Sequence, residues 1–242
     1  AMESSAAWNN AGTGHSAFYE LNYTPENENG SIDISKAENI AEQFEISKQF
    51  WSYLLEKKYI QDPKCFINSC PHMSLVFGEK DAEFLRKRHE KMITSNLFKG
   101  MEFSTNHDQL REWIPLIMSK RKENEILAAT KMDLGTDVNF GTLTRKMGRF
   151  LSEGSNVEIF LYHEAKDLDL QTDGTWDITM KDRLHNHTQH VYSDFVFIGA
   201  GGYALPLLDS SDIAESEGYG GFPVSGEWLV THNPELLANH HA

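Results

Sequence analysis

The sequence predicts a mixed α/β fold, α+β in its arrangement, and three observations predict it. An amphipathic helical period runs from Ser35 to Lys58, with Ile40, Phe44, Ser47, Trp51 and Leu54-Leu55 at intervals of three and four. Beyond residue 157 the period changes to the two-residue alternation of antiparallel strands. A continuously apolar run, Phe195–Ile198, then leads through Gly199-Ala200-Gly201-Gly202 into a short helical segment at Leu205–Leu208. The 242 residues suit one large domain or two modest ones. With 22 Lys+Arg against 36 Asp+Glu the net charge is −14, which argues against a broad nucleic-acid face and against a generally basic membrane-binding surface.

Taken in order, residues 1–24 read as a shaped loop around Gly12 and Gly14, and Glu26–Gly30 as a second loop. Ser35 is the expected N-cap of the first helix, with Glu38 completing a capping box and Phe44, Phe50 and Trp51 expected in the core. Residues 63–68 and 73–78 read as short strands bounded by Pro63 and Gly78. A helix is expected from Asp81 to about Ser95, with Phe84, Leu85, Met92 and Ile93 inward. Arg86, Lys87, Arg88 and Lys91 are placed on its solvated face. A shorter helix runs from Asp108 to Trp113, where Pro115 interrupts it. Ile126–Thr130 is a strand, Gly135–Gly141 a turn, and Thr142–Leu151 a helix. Val157–Tyr162, Leu168–Leu170 and Trp176–Met180 form the meander, with the Asp173-Gly174 turn between the last two.

Cys65 and Cys70 read as two ordinary thiols, since a lone C-x4-C makes a poor zinc site, and no metal is expected. No apolar run reaches the ~18 residues that a bilayer-spanning helix needs. The segment Gly199–Ala204 fits the loose pattern G-x-G-x-x-A, which also leaves open a nicotinamide-binding domain. A glycine-rich turn that touches a cofactor from one side is the favoured reading.

Several segments together resemble the malate:quinone oxidoreductase family. They are Ser4–Ala17, Pro71–Gly78, Gly135–Gly141, Phe197–Gly202, Tyr219–Gly226 and the ending Asn233–His241, in the family's order. The resemblance implies a partial FAD-binding fold of the D-amino-acid oxidase/glutathione reductase type with an inserted substrate domain. On that division residues 1–60 form a flavin-domain segment, 61–134 a substrate-domain segment and 135–242 a second flavin-domain segment. It further implies oxidation of malate to oxaloacetate with electrons passed to quinone, FAD as cofactor, and a place peripheral to the inner, cytoplasmic face of the cell membrane. Relative to the family the chain reads as an internal fragment lacking the N-terminal G-x-G-x-x-G unit and the C-terminal part. The alternatives are oxidation of another 2-hydroxy acid such as 2-hydroxyglutarate, or a catalytically silent piece without bound FAD.

The resemblance assigns Ser5, Asn9, Asn10, Gly12, Thr13, Gly14 and His15 to the cofactor, the glycines allowing close backbone approach and Asn and Thr offering neutral hydrogen bonds. Ala165 and the Gly199, Ala200, Gly201, Gly202 turn are assigned to it as well. Dehydrogenation of a secondary alcohol needs a base, and histidine suits the role because it titrates near neutrality. Of the 11 histidines, His15 and His72 lie inside the matching segments, whereas His185, His187 and His190 are expected on an exposed hairpin. A dicarboxylate also calls for a cation. Arg121, Lys131 and Arg145 border the relevant segments, and Arg121 is the candidate carried forward.

Overall fold

The computed structural model describes residues 5–154, 156–222 and 229–241, so Pro223–Gly226 of one matching segment lie outside the described residues. The architecture is mixed α and β, and every strand pairing among the described residues is antiparallel. The chain divides into two compact units, Ala11–Leu143 with Leu229–Ala242, and Ala1–Asn10 with Thr144–Trp228.

The larger unit opens with helix α1, Ser35–Glu56. Its buried stripe is Ala37, Ala41, Phe44, Trp51 and Leu54, as the helical period requires. Two expectations change here. Ile34 is the N-cap, and Asp33 one residue earlier accepts the Ser35 backbone N–H at 2.9 Å, so Ser35 is the first helical residue. Phe50 is half exposed because it falls off the stripe that Phe44 and Trp51 occupy.

Next, Pro63–Cys65 form a 3-10 turn, and only β1, Ile67–Ser69, is extended in that segment. Strands β2 (His72–Phe77), β3 (Glu102–Ser104) and β4 (Leu127–Met132) make a sheet in the order β2-β4-β3, with His72 opposite Met132 and Met73 opposite Lys131. Alternation sends Val76 and Ala128 toward helix α2 (Glu79–Met92), where they meet Leu85. It sends Met73, Leu75, Leu127 and Ala129 toward the helices α3 (His107–Trp113) and α4 (Pro115–Met118). Pro115 thus ends one helix and starts the next, at the N-terminal position proline tolerates.

Helix α2 departs from expectation at two positions. Ile93 lies just past its end, 40% exposed, while Arg88 is wholly buried. Arg88 sits three residues after Leu85 and four before Met92, both of them also wholly buried, so it lies on the inner stripe that its charge seemed to forbid. The segment expected as a turn holds strand β5, Thr136–Val138, because β1 supplies it with a backbone partner in the register Ile67–Val138. Helix α5, Phe140–Ser152, follows and runs from the larger unit into the smaller.

In the smaller unit β6 (His163–Leu170), β7 (Trp176–Asp182) and β8 (His187–Ser193) form a meander. The Asp173-Gly174 turn forms as expected, Gly174 taking the positive φ of 89° that glycine adopts without strain. That turn fixes Leu170 opposite Trp176, and the hairpin then extends back to His163 opposite Asp182. Val157–Tyr162 is consequently not a strand; it lies before the paired length, exposed, and the chain enters β6 at Tyr162 with φ 59°. Phe195–Ile198 is not a strand either. A doubly buried strand needs a neighbour on each side, no strand of the described residues pairs with it, and Phe195 and Phe197 are 75% and 85% exposed. The helical turn after it, α6, spans Ala204–Asp209.

Candidate functional site

The Gly12–His15 segment runs antiparallel to β5. Gly14 N–H donates to the Thr136 carbonyl at 2.8 Å, Val138 N–H donates to the Gly12 carbonyl at 2.6 Å, and Thr13 bridges Asp137. Two glycines make this pairing possible, and a third, Gly135, lets β5 approach Cys70 and His72. A Cβ on Gly14 would stand 1.9 Å from Thr136 Oγ1, and one on Gly12, whose φ is 74°, would stand 3.1 Å from the Val138 carbonyl oxygen. A Cβ on Gly135 would stand 2.2 Å from the Cys70 carbonyl and 2.6 Å from the His72 ring. Gly12 and Gly14 are therefore accounted for by their approach to β5. Gly201 and Gly202 differ: beyond their chain neighbours, no atom of the described residues lies within 4 Å of where a Cβ would be, an openness they share with turn glycines such as Gly174 and Gly218.

His72 opens β2 and is the centre of the site. Its Nε2 lies 3.2 Å from the Thr136 carbonyl oxygen, which can only accept, so Nε2 carries the hydrogen. That leaves Nδ1 with the lone pair of the neutral ring, buried and, among the described residues, without a hydrogen-bond partner. The Phe18 and Tyr19 rings meet the imidazole edge-on at centroid distances of 5.9 and 5.2 Å. Burial pushes the His72 imidazole below its ordinary value; the Thr136 hydrogen bond opposes this, and the positive form of His15 adds to it. The site thus favours the neutral base at physiological pH.

That shift sets a pH dependence. The unfolded chain titrates His72 near its ordinary ~6.5, whereas the folded chain binds the proton only at lower pH. His72 therefore leaves stability intact above about 6.5 and diminishes it as pH falls toward the lowered folded value. Urea midpoints followed between pH 8 and 5 should fall across this window for the parent chain and fall less for His72→Asn. Identical slopes in the two proteins would contradict the assignment.

Around His72 lies a cavity of about 310 Å³ lined by Gly12, Thr13, Tyr19, Cys70, Asp137 and others. Burial, together with the nearby Asp137 charge, raises the Cys70 thiol above its ordinary value, so it is a poor nucleophile. His15 is exposed, 3.5 Å from the Tyr23 hydroxyl through Nε2. The two histidines singled out from sequence are thus electrostatic neighbours.

Arg121 is placed elsewhere, paired with Glu125 at 3.2 Å and stacked 4.7 Å over the Phe77 ring. Lys131 lines a second cavity, about 350 Å³, with Met73, Trp113 and Glu112, on the face of β2 away from His72. In the smaller unit, Ala165 pairs with Met180 beside a register shift in β6, and Gly201–Tyr203 form a 3-10 turn. Asn9 N–H donates to the Ala6 carbonyl. Both cysteines are free thiols, and among the described residues no group of three or more His, Cys, Asp or Glu is placed to hold a metal ion. No helix of the described residues is long and apolar enough to cross a membrane.

The features that sequence reasoning missed are Gly135, Thr136 and Arg88. Gly135 and Thr136 stand inside a segment already singled out, but only the pairing of β5 reveals their contact with His72. The spacing from Leu85 and Met92 was the available signal for Arg88, and its charge overrode that signal.

Comparisons with known proteins cover the whole chain. The family model for malate:quinone oxidoreductase (Mqo) matches residues 1–242. A probable malate:quinone oxidoreductase of Flavobacterium johnsoniae is 54% identical over 242 residues, which is 100% of this chain and 49% of that protein. Probable malate:quinone oxidoreductase 1 of Pseudomonas aeruginosa is 52% identical over 99% of this chain and 46% of its own length. The chain spans about half the length of the curated relatives it matches. Among solved structures, L-proline dehydrogenase from P. horikoshii is similar over 70% of this chain and 40% of that one, with a TM-score of 0.49 and 14% identity. With its full length matched by the family model and half its residues shared with these relatives, the chain belongs to the malate:quinone oxidoreductase family.

Proposed function

We propose that this chain carries part of the machinery by which a flavoprotein oxidises malate to oxaloacetate and passes the electrons to a quinone, and that His72 is its base. The observation that carries this reading is a neutral imidazole that lines a cavity and whose buried Nδ1 has no hydrogen-bond partner among the described residues. A ring held by Nε2–H donation to Thr136 has its other nitrogen free to take the hydroxyl proton of a 2-hydroxy acid. FAD, when bound, supplies the hydride acceptor. The chain's own part is to fix the imidazole by the Thr136 carbonyl and the aromatic edges of Phe18 and Tyr19, and to keep water from Nδ1. The exposed His15 beside it raises the energy of the imidazolium and so favours return of the proton to solvent. The open backbone at Gly201 and Gly202 fits close approach by a flavin nucleotide. Ser5, Asn9, Asn10, Gly12, Thr13, Gly14, His15, Ala165, Gly199 and Ala200 are proposed as further contacts with FAD. Peripheral attachment to the inner face of the cell membrane belongs to the same reading, since the acceptor is a quinone.

The test is malate-dependent reduction of a quinone analogue by the full-length gene product with FAD. His72→Asn should lower kcat by about 10² or more, the range a positioned general base contributes, while leaving flavin absorbance in place. Turnover of 2-hydroxyglutarate but not malate would overturn the substrate; an unchanged kcat in His72→Asn would overturn the base.

A further inference from the structure

Arg88 is a charged side chain that the proposed reaction does not use, and it is wholly buried. Its Nε donates to Thr24 Oγ1 at 2.8 Å, and its Nη2 donates to the carbonyls of Ala17 at 3.3 Å and Phe18 at 3.1 Å. None of these partners is a carboxylate, and Nη1 has no hydrogen-bond partner among the described residues. Burial pushes the guanidinium down to about 10, still protonated at neutral pH. An ion buried without a counter-charge is expensive to keep, and α2 could have placed a leucine at this position.

What the charge achieves is a set of contacts to one loop. All three acceptors lie between Ala17 and Thr24. Ala17 adopts a left-handed φ of 59°, a conformation that a residue with a Cβ holds only when its surroundings enforce it. The next two residues are Phe18 and Tyr19, whose rings abut His72. The Tyr19 carbonyl is held in turn by the Ser74 hydroxyl at 2.8 Å, two residues along β2 from His72. We propose that Arg88 is a positioning residue for His72: its buried guanidinium fixes the left-handed Ala17 and the Phe18 carbonyl, and so holds the Phe18 and Tyr19 rings against the imidazole. A lysine cannot replace it, because one ammonium lacks the planar fork that reaches a hydroxyl and two carbonyls at once.

Its value to turnover rests on His72 being the base; its effect on the imidazole does not. The ionisable groups that face or neighbour His72 are His15, Tyr19, Cys70 and Asp137, and all four are retained in the variants below. The measurement is the titration of the His72 Cε1–H signal in the full chain labelled with ¹³C-histidine, that signal being identified by its loss in His72→Asn. In Arg88→Met the His72 midpoint should rise by at least ~0.5 pH unit toward its ordinary value, as the rings loosen and water enters. Arg88→Lys should move it in the same direction by less. A folded Arg88→Met or Arg88→Lys whose His72 midpoint coincides with that of the parent chain would overturn the proposal and leave Arg88 as a structural residue alone. If neither folds, Thr24→Val, which removes only the Nε acceptor, takes their place with the same two outcomes. Failure of the base reading registers separately, in the kcat of His72→Asn.

Discussion

Gly135→Ala is expected to destabilise the chain by about 2–3 kcal/mol, toward the upper part of the range for overpacked sites. Gly135 does not hold a positive φ, so alanine carries no backbone penalty there, and by itself the loss of unfolded-state freedom would stabilise slightly. The effect is purely one of space. The added methyl stands 2.2 Å from a backbone oxygen and 2.6 Å from the His72 ring, and the first of these cannot rotate away. Relief requires β5 to separate from Cys70, whose N–H donates to the Gly135 carbonyl at 3.0 Å. The Thr136 carbonyl moves with it, and His72 loses the bond that fixes its tautomer. A urea titration should show a lower midpoint with the slope unchanged. A midpoint equal to or above that of the parent would mean that the close approach of β5 to His72 is wrong.

Phe98→Ala should produce the largest loss of all, about 3–5 kcal/mol. Phe98 is wholly buried in the cluster that also holds Phe18, Ile32, Ile34, Ala37, Met92 and Met132. Its ring meets Phe18 edge-on at 6.2 Å, and Phe18 in turn meets His72. Truncation leaves a void beneath Phe18, whose ring meets the imidazole, and the cost grows with the volume that the neighbours fail to fill. Phe98→Leu, which keeps most of the volume, should restore the greater part of the loss. Thermal unfolding of the two variants side by side makes the measurement, and a shift in Phe98→Ala no greater than that in Phe98→Leu would remove Phe98 from the core.

Helices α1, α2 and α3 and strand β2 were legible in the sequence because each buries one face, and a buried face writes its period into the residues; β4, buried on both faces, showed as an apolar run, and β7 showed through the Asp173-Gly174 turn before it. The end of β6 at Leu168–Leu170 was legible, but its start at His163 was not, and Val157–Tyr162 was read as a separate strand, because the extent of β6 is set by the turn at Gly174 and the length of β7. Those are pairing constraints, and the charged sequence of His163–Leu170 does not display them. Of the site, His72 and His15 were marked out by the segments they occupy. Their proximity was not legible, since it depends on β5 joining residues 12–14 to residues 136–138 across more than a hundred positions. Arg88 was hidden for a different reason. Its spacing from Leu85 and Met92 pointed inward, but a charge inside a basic run reads as solvated before its spacing is weighed.

The thin interior of the smaller unit has a consequence of its own. Among its described residues only Leu168 and Ser211 are buried, while Phe195, Phe197 and Tyr203 face outward. A unit with so little apolar surface removed from water offsets little of the entropy of ordering its chain. Its folding equilibrium is therefore open to linkage: any surface that settles on those aromatic side chains in the folded form, and not in the unfolded one, raises its stability by mass action. For this smaller unit, stability is a property of concentration and company as much as of sequence.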